Sequence, residues 1–231
     1  MGSTTARLGL SAEQRSQAVT DFDARFGEMD KALWCLSRHC RSALIAGQST
    51  EVVEALVWTI RSWWGVQGVR AETKGQMAAA LAELVPWSQE TIAETVSTGP
   101  DAEAFAFEAV SRLVEQSTAL GVPRREFSLA SKVLHWLLPW RVPVYDTFVR
   151  RVLGIPGSWD HPRAYREVVS QVFAMALDIG QDLSWAGGAE PVSPLHALDK
   201  CLWWRGGGAD SGAAEVRHPW RVVDDLGLRR Y

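Results

Sequence analysis

The chain is poor in cysteine, in net charge and in long apolar runs, and each shortage removes a class of protein. Its 231 residues include three cysteines, Cys35, Cys40 and Cys201, with no CxxC pair. That spacing offers no zinc or iron–sulfur ligand set, and it suits a reducing cytoplasm. His39, His161, His196 and His218 show no metal-ligand spacing, so neither a metal nor a cofactor is expected. No apolar run approaches a membrane span, and the N-terminus has no apolar signal core. The expectation is a cytoplasmic protein with no membrane partner. No segment sustains the alternation of a half-buried strand, and there are no internal repeats.

Net charge is only −3, which excludes a uniformly basic nucleic-acid binder. The distribution is more telling. Residues 1–119 hold 10 Lys/Arg against 15 Asp/Glu, whereas residues 120–231 hold 14 against 12. Between 121 and 167 the count is 8 cations against 4 anions, a local basic patch fit either to hold a polyanion or to lie solvated on helix faces. What the chain has in excess is tryptophan, with 12 residues, within a hydrophobic fraction of 47%. Indole buries large area and needs one hydrogen-bond partner, so most of these belong to a core and a few are available for stacking.

Helical periodicity accounts for nearly the whole chain. Residues 1–10 read as a loose leader and 11–231 as one all-α unit of about ten helices. Ser11 caps a polar amphipathic helix ended by Gly27, and Asp30 caps the next, with Leu33, Leu36, Cys40 and Leu44 on one face. A third runs from Thr50 to Trp64 and a fourth from Lys74 to Leu84. A short one spans Ser88 to Val96, and Asp101 opens another to Leu120. Further helices run from Arg163 to Ile179 and from Pro194, at a first-turn position, to Arg205.

The richest stretch is FSLASKVLHWLLPWRVPVYDTFVRRVLG, residues 127–154. Lys132 is a lone cation on an apolar helix, among Leu129, Val133, Trp136 and Leu137. Pro139 and Pro143 break the chain, and Asp146 then opens a second helix carrying Arg150 and Arg151. An amine becomes nucleophilic when burial lowers its proton affinity, and a helix N-terminus stabilises a carboxylate as the anion. Lys132 and Asp146 are therefore the candidate catalytic pair. The plainer alternative is a snorkelling lysine and a simple N-cap.

The segment VPVYDTFVRRVLG resembles the helix-hairpin-helix DNA glycosylases, in which a proline or valine run leads into an aspartate followed by Thr, Val, Arg-Val and Gly. Here those positions are Pro143, Val144, Asp146, Thr147, Val149, Arg151, Val152 and Gly154. SLASKVLHWLL is similar to that superfamily's second hairpin helix, whose lysine is the nucleophile in bifunctional members, including the 8-oxoguanine DNA glycosylases. The resemblance implies two helical subdomains flanking a base-accepting cleft, about 28–119 and about 120–231 with the helix 11–26. It implies a monomer acting on damaged or modified DNA, as a glycosylase with lyase capability. Lys132 would attack the sugar C1′, and Asp146 would stabilise the cationic transition state, on a nucleotide flipped from the stack.

The family's glycine hairpin is replaced by EFSLAS, so Ser128 and Ser131 would grip phosphate in its place. His135, Arg125, Arg150 and Arg151 complete the expected nucleic-acid contacts. Trp63, Trp64, Trp136 and Trp203 are the stacking candidates. Two rivals stand beside this reading: a nucleic-acid-binding relative without catalysis, and an all-α interaction or small-molecule-binding protein.

Overall fold

The computed structural model describes residues 8–48, 50–63, 73–84, 87–88, 99–122, 126–179, 193–210 and 219–228. Among these residues there are nine helices and no strand, so the chain is all-α. In chain order they are α1 (Ala12–Ile45), α2 (Thr50–Trp63), α3 (Thr73–Leu84), α4 (Pro100–Ala119), α5 (Phe127–Leu137), α6 (Thr147–Val152), α7 (His161–Ile179), α8 (Pro194–Arg205) and α9 (Arg221–Asp225). No described helix is long and apolar enough to cross a membrane.

The first two expected helices are one. α1 runs unbroken for 34 residues, with Gly27 and Asp30 inside it rather than at a boundary. Ser11 caps its start through a capping box with Gln14, as its sequence implies. Gly27 fails to end the helix because the apolar face continues in register through it. Phe22, Phe26, Met29, Leu33, Leu36, Cys40 and Leu44 fall at steps of three and four and are all buried. One mid-helix glycine costs about 1 kcal/mol, less than a single buried Leu or Phe returns. The expected subdomain boundary at 26–28 thus falls inside α1.

The α5 helix is the centre of the molecule. Every residue from Leu129 to Leu138 is buried, and α1, α2, α4 and α7 all pack on it. A helix apolar all round belongs in a core, which is where the lone Lys132 is carried. The α8 helix lies against α1, α6 and α7, with its first turn capped by Ser193, whose hydroxyl accepts from His196 N at 3.0 Å. The expected helix from Ser88 to Val96 lies, beyond Ser88 itself, outside the described residues.

Gly27→Ala decides between a continuous and a broken α1. A Cβ at Gly27 meets nothing nearer than Asp23 Cβ at 3.6 Å. In a continuous helix the substitution raises stability by roughly 0.5–1 kcal/mol, or a few degrees in Tm. In a helix ending at Gly27 it lowers Tm. Thermal melts of the two proteins read the sign.

Candidate functional site

Lys132 and Asp146 meet. Lys132 Nζ lies 3.6 Å from Asp146 Oδ2, with 11% and 19% of the two side chains exposed. The pair is therefore nearly enclosed yet still open to solvent. Local chemistry places each partner. The α5 helix carries Lys132, and the connector from Leu138 to Asp146 folds back on it by short bonds. Val142 N donates to Leu138 O at 3.0 Å, and Tyr145 N donates to Ser131 Oγ at 3.0 Å. Asp146 then caps α6, its Oδ1 accepting from Val149 N at 3.0 Å. One carboxylate oxygen is spent on the backbone and the other faces the ammonium, so the side chain is held at both ends. Gly154, at φ 64°, closes the unit after Leu153.

The sequence-based contacts fare unequally around this pair. Ser131 is fully buried, and its hydroxyl also donates to Ser128 O at 3.1 Å. It pegs the Asp146 turn to α5 and does not reach a phosphate. Ser128 is half-buried one turn earlier. His135 is buried too, with both ring nitrogens engaged inside the protein. Arg150 donates to Pro156 O, and Arg151 Nη1 donates to Gly206 O at 2.5 Å, so both guanidiniums brace backbone while staying at least partly exposed. Arg125 and Trp64 lie outside the described residues. Trp136 packs edge-on to Trp34 at 5.4 Å, and Trp203 packs on Phe22 and Phe26 at 5.3 and 5.5 Å; both are buried core residues, not stacking platforms. Trp63 is half-buried and remains accessible.

A second set of residues joins α1, α8 and α5 through buried polar bonds. Asp30 of α1 binds two groups of α8 through the same oxygen: His196 Nε2 at 2.9 Å and Lys200 Nζ at 2.9 Å. Lys200 Nζ also donates to Asp23 Oδ1 at 2.6 Å. His196 Nδ1 lies 3.0 Å from His135 Nε2, and His135 Nδ1 donates to Val142 O at 2.8 Å. The chain Asp23–Lys200–Asp30–His196–His135–Val142 thus runs from α1 through α8 to α5 and into the connector. Both ends of the imidazole pair face obligate acceptors, a carboxylate and a carbonyl.

Energetics within the chain follow from burial and pairing. Burial works to raise the pKa of Asp30, but His196 and Lys200, by charge and hydrogen bond, bring it down to about 2. Burial, and then the neighbouring His196, push His135 down to about 3 against the opposing Val142 bond. Lys200 is raised, because Asp30 and Asp23 outweigh its burial. The only partial signal for this chain in the sequence is Asp30, Asp23, His196 and Lys200 at helical spacing within their own helices. Nothing local pairs α1 with α8.

Among the described residues, no group of three or more His, Cys, Asp or Glu side chains is arranged to hold a metal ion. The chain matches no family model, no curated protein and no solved structure. Function is therefore read from the site's own geometry.

Two consequences are measurable. Asp30→Asn leaves Lys200 and the imidazole pair without their buried anion and costs about 3–5 kcal/mol in denaturant unfolding. Asp30 is depressed from 3.8 to about 2, so its stabilisation is complete above about pH 4 and is lost as pH falls toward 2. His135 is depressed from 6.5 to about 3, so the unfolded chain binds the proton more tightly in that window and stability falls with pH there. The unfolding midpoint of the wild type should decline from about pH 6.5 downward, and Asp30→Asn should lack the part below about pH 4.

Proposed function

We propose that the chain is a DNA base-excision glycosylase with lyase capability, on a helix-hairpin-helix glycosylase-like fold, acting on a flipped damaged or modified base. The observation that carries the reading is the 3.6 Å approach of Lys132 Nζ to Asp146 Oδ2 in a nearly enclosed, partly open setting. A lysine held on a core helix beside a capped carboxylate has little packing purpose. Its desolvation costs free energy that a leucine would not incur. An amine nucleophile and an adjacent anion are what departure of a base from C1′ requires. The amine forms the covalent bond to C1′, and the Asp146 carboxylate, held by Val149 N, stabilises the oxocarbenium-like charge. The Lys–C1′ adduct opens to a Schiff base, from which strand cleavage follows.

Neither group reaches C1′ inside a duplex, so the nucleotide must be extruded. Arg150, Arg151 and Ser128 are at least partly accessible and close to the pair in sequence, and Trp63 is a partly accessible indole. Contacts to the phosphate backbone by arginine supply salt-dependent affinity without base identity. The lesion is set by the pocket that receives the base.

Cyanoborohydride trapping on a duplex carrying one abasic site tests the reading. Wild type forms a covalent complex, and Lys132→Ala forms none. Asp146→Asn keeps the N-cap, since Asn caps as well as Asp, so any fall in Tm reports only the lost Lys132 pairing, while trapping slows about 100-fold or more. A large fall in Tm with trapping retained would make Asp146 a structural cap only. Salt-dependent DNA binding without trapping would select the non-catalytic relative.

A further inference from the structure

An exposed histidine near the pair is fixed as firmly as a core residue. His161 opens α7 at the surface, yet its ring lies flat on Phe127, with 6.1 Å between centroids and 16° between planes. Its Nδ1 lies 2.9 Å from the Tyr145 hydroxyl, and the two rings meet edge to face at 5.8 Å. Tyr145 is buried, with its N–H held by Ser131 Oγ and its ring on Tyr165 at 5.7 Å. Tyr165 in turn packs on Phe127 at 6.1 Å. Phe127, Tyr145 and Tyr165 thus form an aromatic floor on which the imidazole is set. Fixing an exposed side chain costs rotamer entropy that little burial offsets.

The residues around it flank Asp146 in the chain. Tyr145 immediately precedes Asp146, and Arg150 follows by one helical turn, its N–H donating to Asp146 O at 3.0 Å. The Arg150 guanidinium lies 5.8 Å from the Tyr145 ring centroid and donates one N–H to Pro156 O, which leaves further N–H groups on a half-buried side chain. A guanidinium only donates, so His161 Nδ1 is the acceptor in contact with the Tyr145 O–H, and Nε2 then carries the ring's proton. Nε2 has no partner among the described residues. The neighbouring carboxylate, Asp160, is turned to α7, its Oδ1 accepting from Arg163 N at 2.9 Å. Arg163, held over Trp159, adds a second positive charge nearby. Two guanidiniums therefore outweigh one carboxylate around a fixed, exposed N–H donor.

We propose that Arg150 and His161, with Tyr145 behind them, form a clamp for one backbone phosphodiester of the DNA strand beside the extruded nucleotide. His161 Nε2–H and the free N–H groups of Arg150 donate to the phosphate oxygens. Tyr145 does not touch the phosphate; it is the positioning residue that holds the imidazole. Ser131, turned inward to Tyr145 N, supports the clamp from the core instead of gripping phosphate itself. Contacts of this kind fix the register of the strand and carry no base identity. Holding the strand next to Asp146 is what an extruded nucleotide needs, since the flanking backbone must stay in place while one residue turns out.

This inference rests on the DNA reading of the Lys132–Asp146 site, and binding separates it from the chemistry. The probe is a duplex carrying a tetrahydrofuran abasic analogue, which binds but has no C1′ leaving group and so cannot be trapped. His161→Ala and Arg150→Gln should each weaken binding about tenfold with Tm retained. Arg150→Gln should also lower the slope of log affinity against log salt by about 1. Tyr145→Phe keeps the aromatic floor and should weaken binding as well, yet add nothing in the double variant with His161→Ala, because both act through one imidazole. Replacing the flanking phosphates by methylphosphonate one at a time should cost wild type affinity at one position and cost His161→Ala little there. If the variants bind as wild type does, with the same salt slope, while wild type traps on an abasic duplex, the clamp is overturned and the nucleophile stands. If wild type does not trap but the binding losses appear, the clamp stands and the lyase reading falls. If wild type does not bind the duplex, both fall. Inorganic phosphate that shifts the His161 imidazole NMR signals when the duplex does not would assign the site to free phosphate and also overturn the inference.

Discussion

The bond on which the rest depends is the double attachment of Asp30. One carboxylate oxygen, buried in α1, holds both His196 and Lys200 of α8. Through His196 it reaches His135 of α5, and through His135 the connector that leads to Asp146. A buried ion pair contributes little net stability by itself, because desolvating the charges offsets much of their attraction. What such a network does supply is register. Apolar helices slide over one another at small cost, whereas a carboxylate that must meet two cations fixes axial position and rotation together. The orientation of α8 follows from it.

The Lys132–Asp146 pair inherits that precision by a second route. Ser131 holds Tyr145 N, Val149 N holds Asp146, and both bonds lie within a stretch of about 20 residues, so the pair is assembled almost locally. The distant network then adds the charge environment. Asp146 faces Lys132 with one oxygen and accepts from a backbone amide with the other. Around them the arginines of the basic stretch brace carbonyls or lie over rings, as Arg163 does over Trp159 at 3.9 Å and Arg166 over Phe107 at 3.9 Å. Much of the apparent basic patch is therefore structural, and its free capacity for phosphate rests on fewer groups than the count of cations suggests.

Helices were legible where local rules dominate. Ser11, Asp146 and Pro194 mark real starts, and Gly154 and Gly47 sit just past real ends, because capping is a contest among neighbouring residues. Gly27 misleads for the same reason: as a local signal it ends a helix, but the buried face running through it outweighs the local cost. Ser131 and His135 mislead differently. Their types suit phosphate binding, yet α5 is wrapped on all sides, so their polar atoms turn inward to partners 14 and 61 residues away. Trp136 and Trp203 are the same case in apolar form, their faces taken by Trp34, Phe22 and Phe26.

The sequence by itself determined the all-α class and the α5–connector–α6 unit, since capping, periodicity and proline breaks act over a few residues, and it offered Lys132 and Asp146 as a candidate pair. Tertiary structure alone decided which tryptophans face inward, that α1 is continuous, and that Asp30 joins His196 and Lys200 across 166 and 170 positions. Pairing between helices far apart in the chain depends on how whole apolar faces pack, and no local pattern encodes which buried charge meets which.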